Sequence, residues 1–331
     1  MVLLCPGRGS YGREQLGTLI STPSVQTADA FRAAAGRPAP SEMDRAPQYS
    51  SRLHVAGENA SILTAAFTLS DRDQLGDVEV VAVIGNSMGW YTALAVAGAL
   101  SLPDGLRLVE TMGQYQAGNV IGGQVLYPLC DADWRAAPSA EVDALLRDTP
   151  HLYRSILLGG QLVLGGSQTA VATALATLPV RRIGQHDAPM QLPLHSAFHT
   201  PLLAETAARA ANDLGDLNWR APAVPLVDGR GAIFRPRSSD PAEIAAYTLG
   251  HQVIAPYDFT ASVRVALREY APDAIVLLGP GGNLGGPVAQ ALIAEGWRGL
   301  HSKADFVAAQ ERAPFVLSMA RAEQRALVAR A

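Results

Sequence analysis

Val80-Val81-Ala82-Val83-Ile84-Gly85-Asn86-Ser87-Met88-Gly89 is the stretch that decides the fold. Its short apolar run reads as a buried strand, and the segment that follows, from Trp90 to Leu100, is compatible with a helix. Between them stands Gly-x-Ser-x-Gly, the strand-turn-helix arrangement of a nucleophile elbow. The glycines remove Cβ atoms where the chain reverses sharply. A serine there can hold a strained backbone and present its hydroxyl to a substrate at a helix N-terminus. Ser87 is therefore the candidate nucleophile. A serine flanked by glycines can also be a simple helix N-cap, and the five residues alone do not separate the two.

Upstream, Val2-Leu3-Leu4-Cys5 reads as a buried strand running into the glycine-rich turn Pro6-Gly7-Arg8-Gly9-Ser10. Residues 23–51, rich in Ala, Pro, Arg and Ser, read as short helices and coil, and residues 60–69 as a helix. A further helix is expected over 103–116, with Pro103 in the first turn and Ser101 at the N-cap. This β-α-β-α rhythm implies an α/β class with a mainly parallel sheet. After residue 122 the rhythm changes. Strands over 124–129, 152–158, 161–164 and 190–194, with helices over 140–146 and 169–178, spell β-α-β-β-α-β, the split pattern of a ferredoxin-like subdomain. The expected organisation is a discontinuous α/β-hydrolase-like core, residues 1–122 and 193–331, with an inserted ferredoxin-like subdomain over 123–192. The core resumes as a helix over 201–214, a strand over 223–227, a helix over 257–270 and a strand over 274–278 that ends in Gly279-Pro280-Gly281-Gly282.

With 331 residues, 48% of them hydrophobic, the chain can bury a large core. A formal net charge of -4 gives no bulk attraction to nucleic acid or to an anionic membrane. The apolar stretch over 93–100 is broken at Gly98 and soon meets Pro103, well short of the roughly 18 residues a membrane-spanning helix needs. The four-residue run at the N-terminus is too short for a signal-peptide core, so a cytoplasmic location is expected. Cys5 and Cys130 match neither a zinc spacing nor a disulfide framework and read as buried thiols. No phosphate-binding loop of the Gly-x-x-x-x-Gly-Lys type occurs, and the glycines at 279–286 lack a dinucleotide-binding spacing.

A nucleophilic serine needs a base. His54, His151, His186, His251 and His301 stand in undistinguished polar surroundings. His195 and His199 lie in Leu192-Pro193-Leu194-His195-Ser196-Ala197-Phe198-His199-Thr200-Pro201, where an apolar strand gives way to a turn and a new helix. A histidine at such a junction can reach an elbow in the same sheet. The four-residue spacing of the pair could suggest metal ligation, but Pro201 and the turn-like surroundings oppose the continuous helix this needs, and no metal is expected.

Together these motifs resemble the malonyl-CoA:acyl-carrier-protein transacylase family and the related acyltransferase domains of fatty-acid and polyketide synthases. Pro6-Gly7-Arg8-Gly9-Ser10 resembles the family's PGQGS, residues 85–89 its GHSLG, and residues 91–108 its helix-and-turn stretch. Ala197-Phe198-His199-Thr200-Pro201-Leu202 resembles AFHSPL, Gln252-Val253-Ile254-Ala255-Pro256 a QLxxPV segment, and Gly279-Pro280-Gly281 the late GPG turn. The resemblance spans nearly the whole chain and independently implies a ferredoxin-like insertion. It implies acyl transfer from an acyl-CoA to an acyl-carrier-protein thiol, with Ser87 as acyl acceptor and His199 as general base. Gln252 would supply a carbonyl that orients His199, and the backbone N–H groups of Arg8 and Met88 would form the oxyanion hole. The CoA thioester would be a substrate, with no bound cofactor, and the enzyme is expected to be a monomer.

The chain also departs from the family. Leu108-Val109-Glu110-Thr111-Met112-Gly113 carries Met112 where an arginine usually pairs with the free carboxylate of a malonyl-type substrate. Arg8 replaces a glutamine, Asn86 a histidine, and Trp90 an acidic residue. Met112, Trp90, Asn86, His195 and Phe198 are thus expected around the acyl pocket, where the Trp90 indole would either narrow or reshape the wall or simply cover the core. Without the arginine an uncharged acyl group is the default. Arg8 is the one evident rescue, since its guanidinium could grip a carboxylate from the opposite side. A thioester hydrolase that edits carrier proteins, or a catalytically weak carrier-binding homologue, are the alternatives.

Overall fold

The computed structural model describes residues 1–137, 139–184 and 186–329; Pro138, Gln185 and the last two positions of the 193–331 segment lie outside the described residues. The strands are β1 (Val2–Cys5), β2 (Ala82–Gly85), β3 (Gly123–Pro128), β4 (Leu152–Leu158), β5 (Gln161–Gly166), β6 (Arg181–Ile183), β7 (His186–Ala188), β8 (Met190–Gln191), β9 (Leu226–Val227), β10 (Ile233–Phe234), β11 (Tyr257–Asp258), β12 (Ile275–Leu277) and β13 (Val316–Ser318). The larger sheet has the order β10-β9-β2-β1-β12-β13, parallel throughout except for β10. Its central strands β1, β2 and β12 are buried at every residue, which is why each reads as an unbroken apolar run and not an alternating one.

Pairing of β1 with β2 in the register Cys5 to Gly85 brings the turn after β1 and the elbow after β2 side by side at the carboxyl edge of the sheet. Crevices for ligands form there in open α/β sheets. Behind the elbow lie the helices Gly89–Val96 and Leu102–Gln114. Ser101 caps the second, accepting from Asp104 N at 3.2 Å, and Pro103 sits in its first turn as expected.

The second sheet has the order β11-β4-β5-β3-β8. Every pairing among β4, β5, β3 and β8 is antiparallel, the order a βαββαβ unit adopts when its third strand inserts between the first two. The fifth strand, β11, comes from the segment that returns after the large sheet, and it runs parallel to β4 with Tyr257 opposite Ile156. The expected helix over 257–270 therefore begins only at Phe259, and Asp258 caps it by accepting from Ala261 N at 2.7 Å.

Other segments also differ from expectation. The strand expected over 190–194 stops at Gln191, because Pro193 has no N–H to donate and Leu194 takes a left-handed φ of 57°. The β6–β7 hairpin, rich in charge and only three residues a side, and the edge strand β13 carry too little pattern to be read in advance. Both cysteines are buried and unpaired. Among the described residues no helix is long and apolar enough to cross a membrane, and no three His, Cys, Asp or Glu side chains gather as they would around a metal.

Candidate active site

Ser87 has φ 54°, the left-handed conformation that an elbow imposes on its nucleophile. The flanking glycines are sterically required. A Cβ on Gly85 would lie 2.4 Å from Trp90 N, and one on Gly89 would lie 2.1 Å from the Cys5 carbonyl oxygen. Trp90 N donates to the Ser87 carbonyl at 3.0 Å, closing the turn. The Tyr257 hydroxyl donates to the Gly85 carbonyl at 2.7 Å, so the strand that extends the second sheet also braces the elbow.

His199 reaches the elbow from the loop after β8, with its Nε2 2.7 Å from Ser87 Oγ. Its Nδ1 lies 2.6 Å from the Gln252 backbone oxygen. A carbonyl only accepts, so Nδ1 carries the proton and Nε2 offers its lone pair to the serine hydroxyl. The sequence-derived trio of Ser87, His199 and Gln252 is thus brought together. His199 is wholly buried, has φ 61°, and donates its own N–H to the Val253 carbonyl at 2.8 Å. Burial outweighs the bond to Gln252 and lowers its pKa to about 4, so the imidazole is neutral at pH 7.

The Gln252 side chain does more than the sequence implied. Its Nε2 donates to the Ser87 carbonyl at 3.1 Å, and its Oε1 accepts from the Tyr91 hydroxyl at 2.7 Å. Tyr91, only 3% exposed, was not singled out from sequence. Neither the Arg8 nor the Met88 backbone N–H donates to a protein acceptor among the described residues, which leaves both free for an oxyanion.

These groups face a cavity of about 540 Å³ whose walls include Met88 and four of the residues read around the acyl pocket, Asn86, Met112, His195 and Phe198. Arg8 and Gln252 also line it, as do Leu126, Ile156 and Val163 from the second sheet. Trp90 does not. Its indole is fully buried, donates to Thr248 Oγ1 at 2.9 Å and packs edge-on against Tyr247. One step along a helix turns a side chain by about 100°, so with the helix starting at Gly89 it is Tyr91 that meets the cavity and Trp90 that meets the core. The expectation that Trp90 narrows the pocket is corrected accordingly.

The Arg8 side chain crosses the cavity wall. It donates through Nη1 to Gln116 Oε1, and through Nη2 to the Val55 carbonyl at 3.1 Å and the Leu194 carbonyl at 2.8 Å. Its Nε is buried without an acceptor. His195 Nδ1 lies 2.8 Å from the Pro193 carbonyl, which fixes the proton on Nδ1. Burial first, then the nearby Arg8 charge, lower the His195 pKa to about 3. Gln116, four residues beyond Met112, was also missed from sequence, although its helical spacing from Met112 was a usable signal.

A parallel α/β sheet thus brings a serine on a strained elbow to a buried neutral histidine, beside a split-βαβ sheet that walls the cavity. The fold is that of the malonyl-CoA:acyl carrier protein transacylases and of polyketide synthase acyltransferase domains, and the sequence resembles theirs. The malonyl CoA-acyl carrier protein transacylase of Salmonella typhimurium is 29% identical over 233 residues, covering 68% of this chain and 71% of that protein. A phenolphthiocerol/phthiocerol polyketide synthase of Mycobacterium tuberculosis is 29% identical over 147 residues, covering 44% of this chain and 7% of that protein. Among solved structures, the malonyl-CoA:ACP transacylase of Synechocystis sp. superposes with a TM-score of 0.75 at 17% identity, covering 99% of both chains. The acyl-carrier-protein S-malonyltransferase of Bartonella henselae superposes with a TM-score of 0.74 at 21% identity, covering 98% of this chain and 97% of that one. No family model matches the chain.

Proposed function

We propose that this protein is an acyltransferase that moves an acyl group from a CoA thioester to the thiol of an acyl carrier protein through an acyl-Ser87 intermediate. The observation that carries the reading is the contact of 2.7 Å between Ser87 Oγ and the Nε2 of a histidine held in the correct tautomer by the Gln252 carbonyl. His199 Nε2 takes the hydroxyl proton as Oγ attacks the thioester carbonyl, and the Arg8 and Met88 N–H groups receive the developing oxyanion. Collapse breaks the carbon–sulfur bond, and His199 returns its proton to the departing CoA thiolate. The carrier thiol then enters, loses its proton to His199, attacks the ester, and leaves Ser87 reprotonated by the imidazolium. No redox step or bound cofactor enters this sequence.

The named activities of the sequence relatives support transfer between CoA and carrier protein. The segment 123–192 is, on this reading, the small subdomain that closes one side of the acyl site. Incubation with acyl-CoAs followed by intact-mass and peptide analysis tests it. Ser87 is expected to gain one acyl mass, added carrier protein to remove it as acyl-carrier product, and Ser87→Ala to abolish labelling. Labelling that survives Ser87→Ala refutes the mechanism, and release as free acid with carrier protein present replaces transfer by hydrolysis.

A further inference from the structure

His199 keeps its left-handed φ of 61°, a conformation that a residue other than glycine holds only where its surroundings fix it. The angle is a rotation about the bond from the His199 nitrogen to its Cα, so it is set by the peptide unit that joins Phe198 to His199. Both polar groups of that unit are held. Its N–H donates to the Val253 carbonyl at 2.8 Å. Its carbonyl, on Phe198, accepts from Ser155 Oγ at 2.9 Å and from Gln124 Nε2 at 3.4 Å, and both of these donors belong to the second sheet.

The second sheet is shaped for this contact. Ser155 stands where β4 slips register against β5, between Arg154 opposite Leu164 and Ile156 opposite Val163. A bulge of this kind leaves one residue out of the ladder and re-aims its side chain. Ser155 is wholly buried, and Gln124 on β3 is 3% exposed. Gly165 on β5 lets the sheet come close to the loop that carries His199, since a Cβ there would lie 2.8 Å from Thr200 Cγ2. A carbonyl only accepts, so the Ser155 hydroxyl gives its one hydrogen to Phe198 and takes another from Gln124 Nε2 at 2.8 Å. The chain from Gln124 through Ser155 to Phe198 thus runs in one direction.

We propose that Ser155, oriented by Gln124, is a positioning residue for the general base: it fixes the peptide unit between Phe198 and His199 so that the His199 Nε2 lone pair stays on Ser87 Oγ. The base is then held from two sides, its ring and N–H by residues 252 and 253 and the preceding carbonyl by the second sheet. This rests on the acyl-Ser87 reading and goes beyond it, because it gives the second sheet a part in the chemistry besides walling the cavity.

The burst of p-nitrophenolate from p-nitrophenyl acetate tests the proposal without CoA or carrier protein. Ser87 Oγ bonds to the acetyl carbon, its proton passes to His199, and p-nitrophenolate leaves. Ser155→Ala is expected to lower the maximal burst rate about tenfold, the size of one hydrogen bond, and to leave the half-saturating ester concentration unchanged. In a His199→Ala background the same substitution is expected to cost nothing further, because it acts through the base. Should Ser155→Ala fail to fold, as judged by circular dichroism, Gln124→Leu carries the test and is expected to slow the burst only while His199 is present. An unchanged burst rate in a folded Ser155→Ala protein, a change confined to the half-saturating concentration, or an equal slowing with and without His199 overturns the proposal. Absence of any burst in the wild type refutes the acyl-Ser87 reading instead, so the two failures are told apart.

Discussion

Gln252→Leu separates the two jobs the structure gives to one residue. The backbone carbonyl that orients His199 survives the substitution, whereas the side chain that joins Tyr91 to the elbow is lost. The buried Tyr91 hydroxyl then has no acceptor, at a cost of about 1–3 kcal/mol. The Ser87 carbonyl keeps the Trp90 N–H as donor, so losing its second donor costs less, about 0.5–1 kcal/mol. A total of about 1.5–4 kcal/mol, with an unfolding entropy near 0.7 kcal/mol/K for a chain of this length, lowers Tm by roughly 2–6 °C. Tyr91→Phe supplies the control, because in the Gln252→Leu background it removes the hydroxyl left stranded and becomes neutral or stabilising. Thermal melts of the four proteins give the coupling directly. Acyl-Ser87 formation is expected to slow, by about tenfold, while its pH profile stays in place because the His199 partner is unchanged. Equal costs of Tyr91→Phe in both backgrounds, or a displaced pH profile, would refute the division of roles.

Three further outcomes are expected. His199→Ala should slow acylation by about 10²–10⁴-fold, whereas His195→Ala should mainly change acyl preference; stopped-flow acylation kinetics decide, and a larger loss at His195 reverses the base assignment. His199 and His195 have folded-state pKa values lowered to about 4 and about 3, so acylation kcat/KM should be flat from pH 5 to 8 and fall as pH drops through about 4. Because the unfolded chain takes up those protons near pH 6.5 and the folded one does not, denaturant-measured stability should hold above that pH and decline below it toward pH 4, and stability that rises on acidification contradicts a neutral pair led by the buried His199. Trp90→Phe, which loses the bond to Thr248 and leaves a core void, should lower Tm without altering acyl preference; a shifted preference would return Trp90 to the pocket wall.

What could be read from the sequence was what local pattern encodes. The elbow is legible because an apolar strand, two sterically obligatory glycines and a helix start are contiguous. The β-α-β-β-α-β order is legible because β3, β4 and β5 are six or seven residues long and show a pattern, whereas the last strand, β8, keeps only two of the residues read for it. Two-residue strands such as β11 owe their existence to a partner far away in sequence, so nothing local announces them. The choice between His195 and His199 rested on resemblance, since both stand in one turn. What separates them is a pair of left-handed residues, Leu194 and His199, which direct one ring to the cavity wall and the other beneath the elbow. Trp90 was misread by a single residue of helical phase.

Positions 8 and 112 look like two unrelated departures when read along the chain, one on a turn after β1 and the other on a helix more than a hundred residues later. In the folded protein both face the cavity that opens onto Ser87, and Gln116, on the chain just beyond the Met112 helix, accepts from the Arg8 guanidinium. Losing an arginine on the helix and gaining one on the turn leaves the wall with a cation, approached from the other side. On the proposed mechanism the turn also lends the Arg8 backbone N–H to the oxyanion, a second role that an arginine at 112, acting through its side chain alone, could not take.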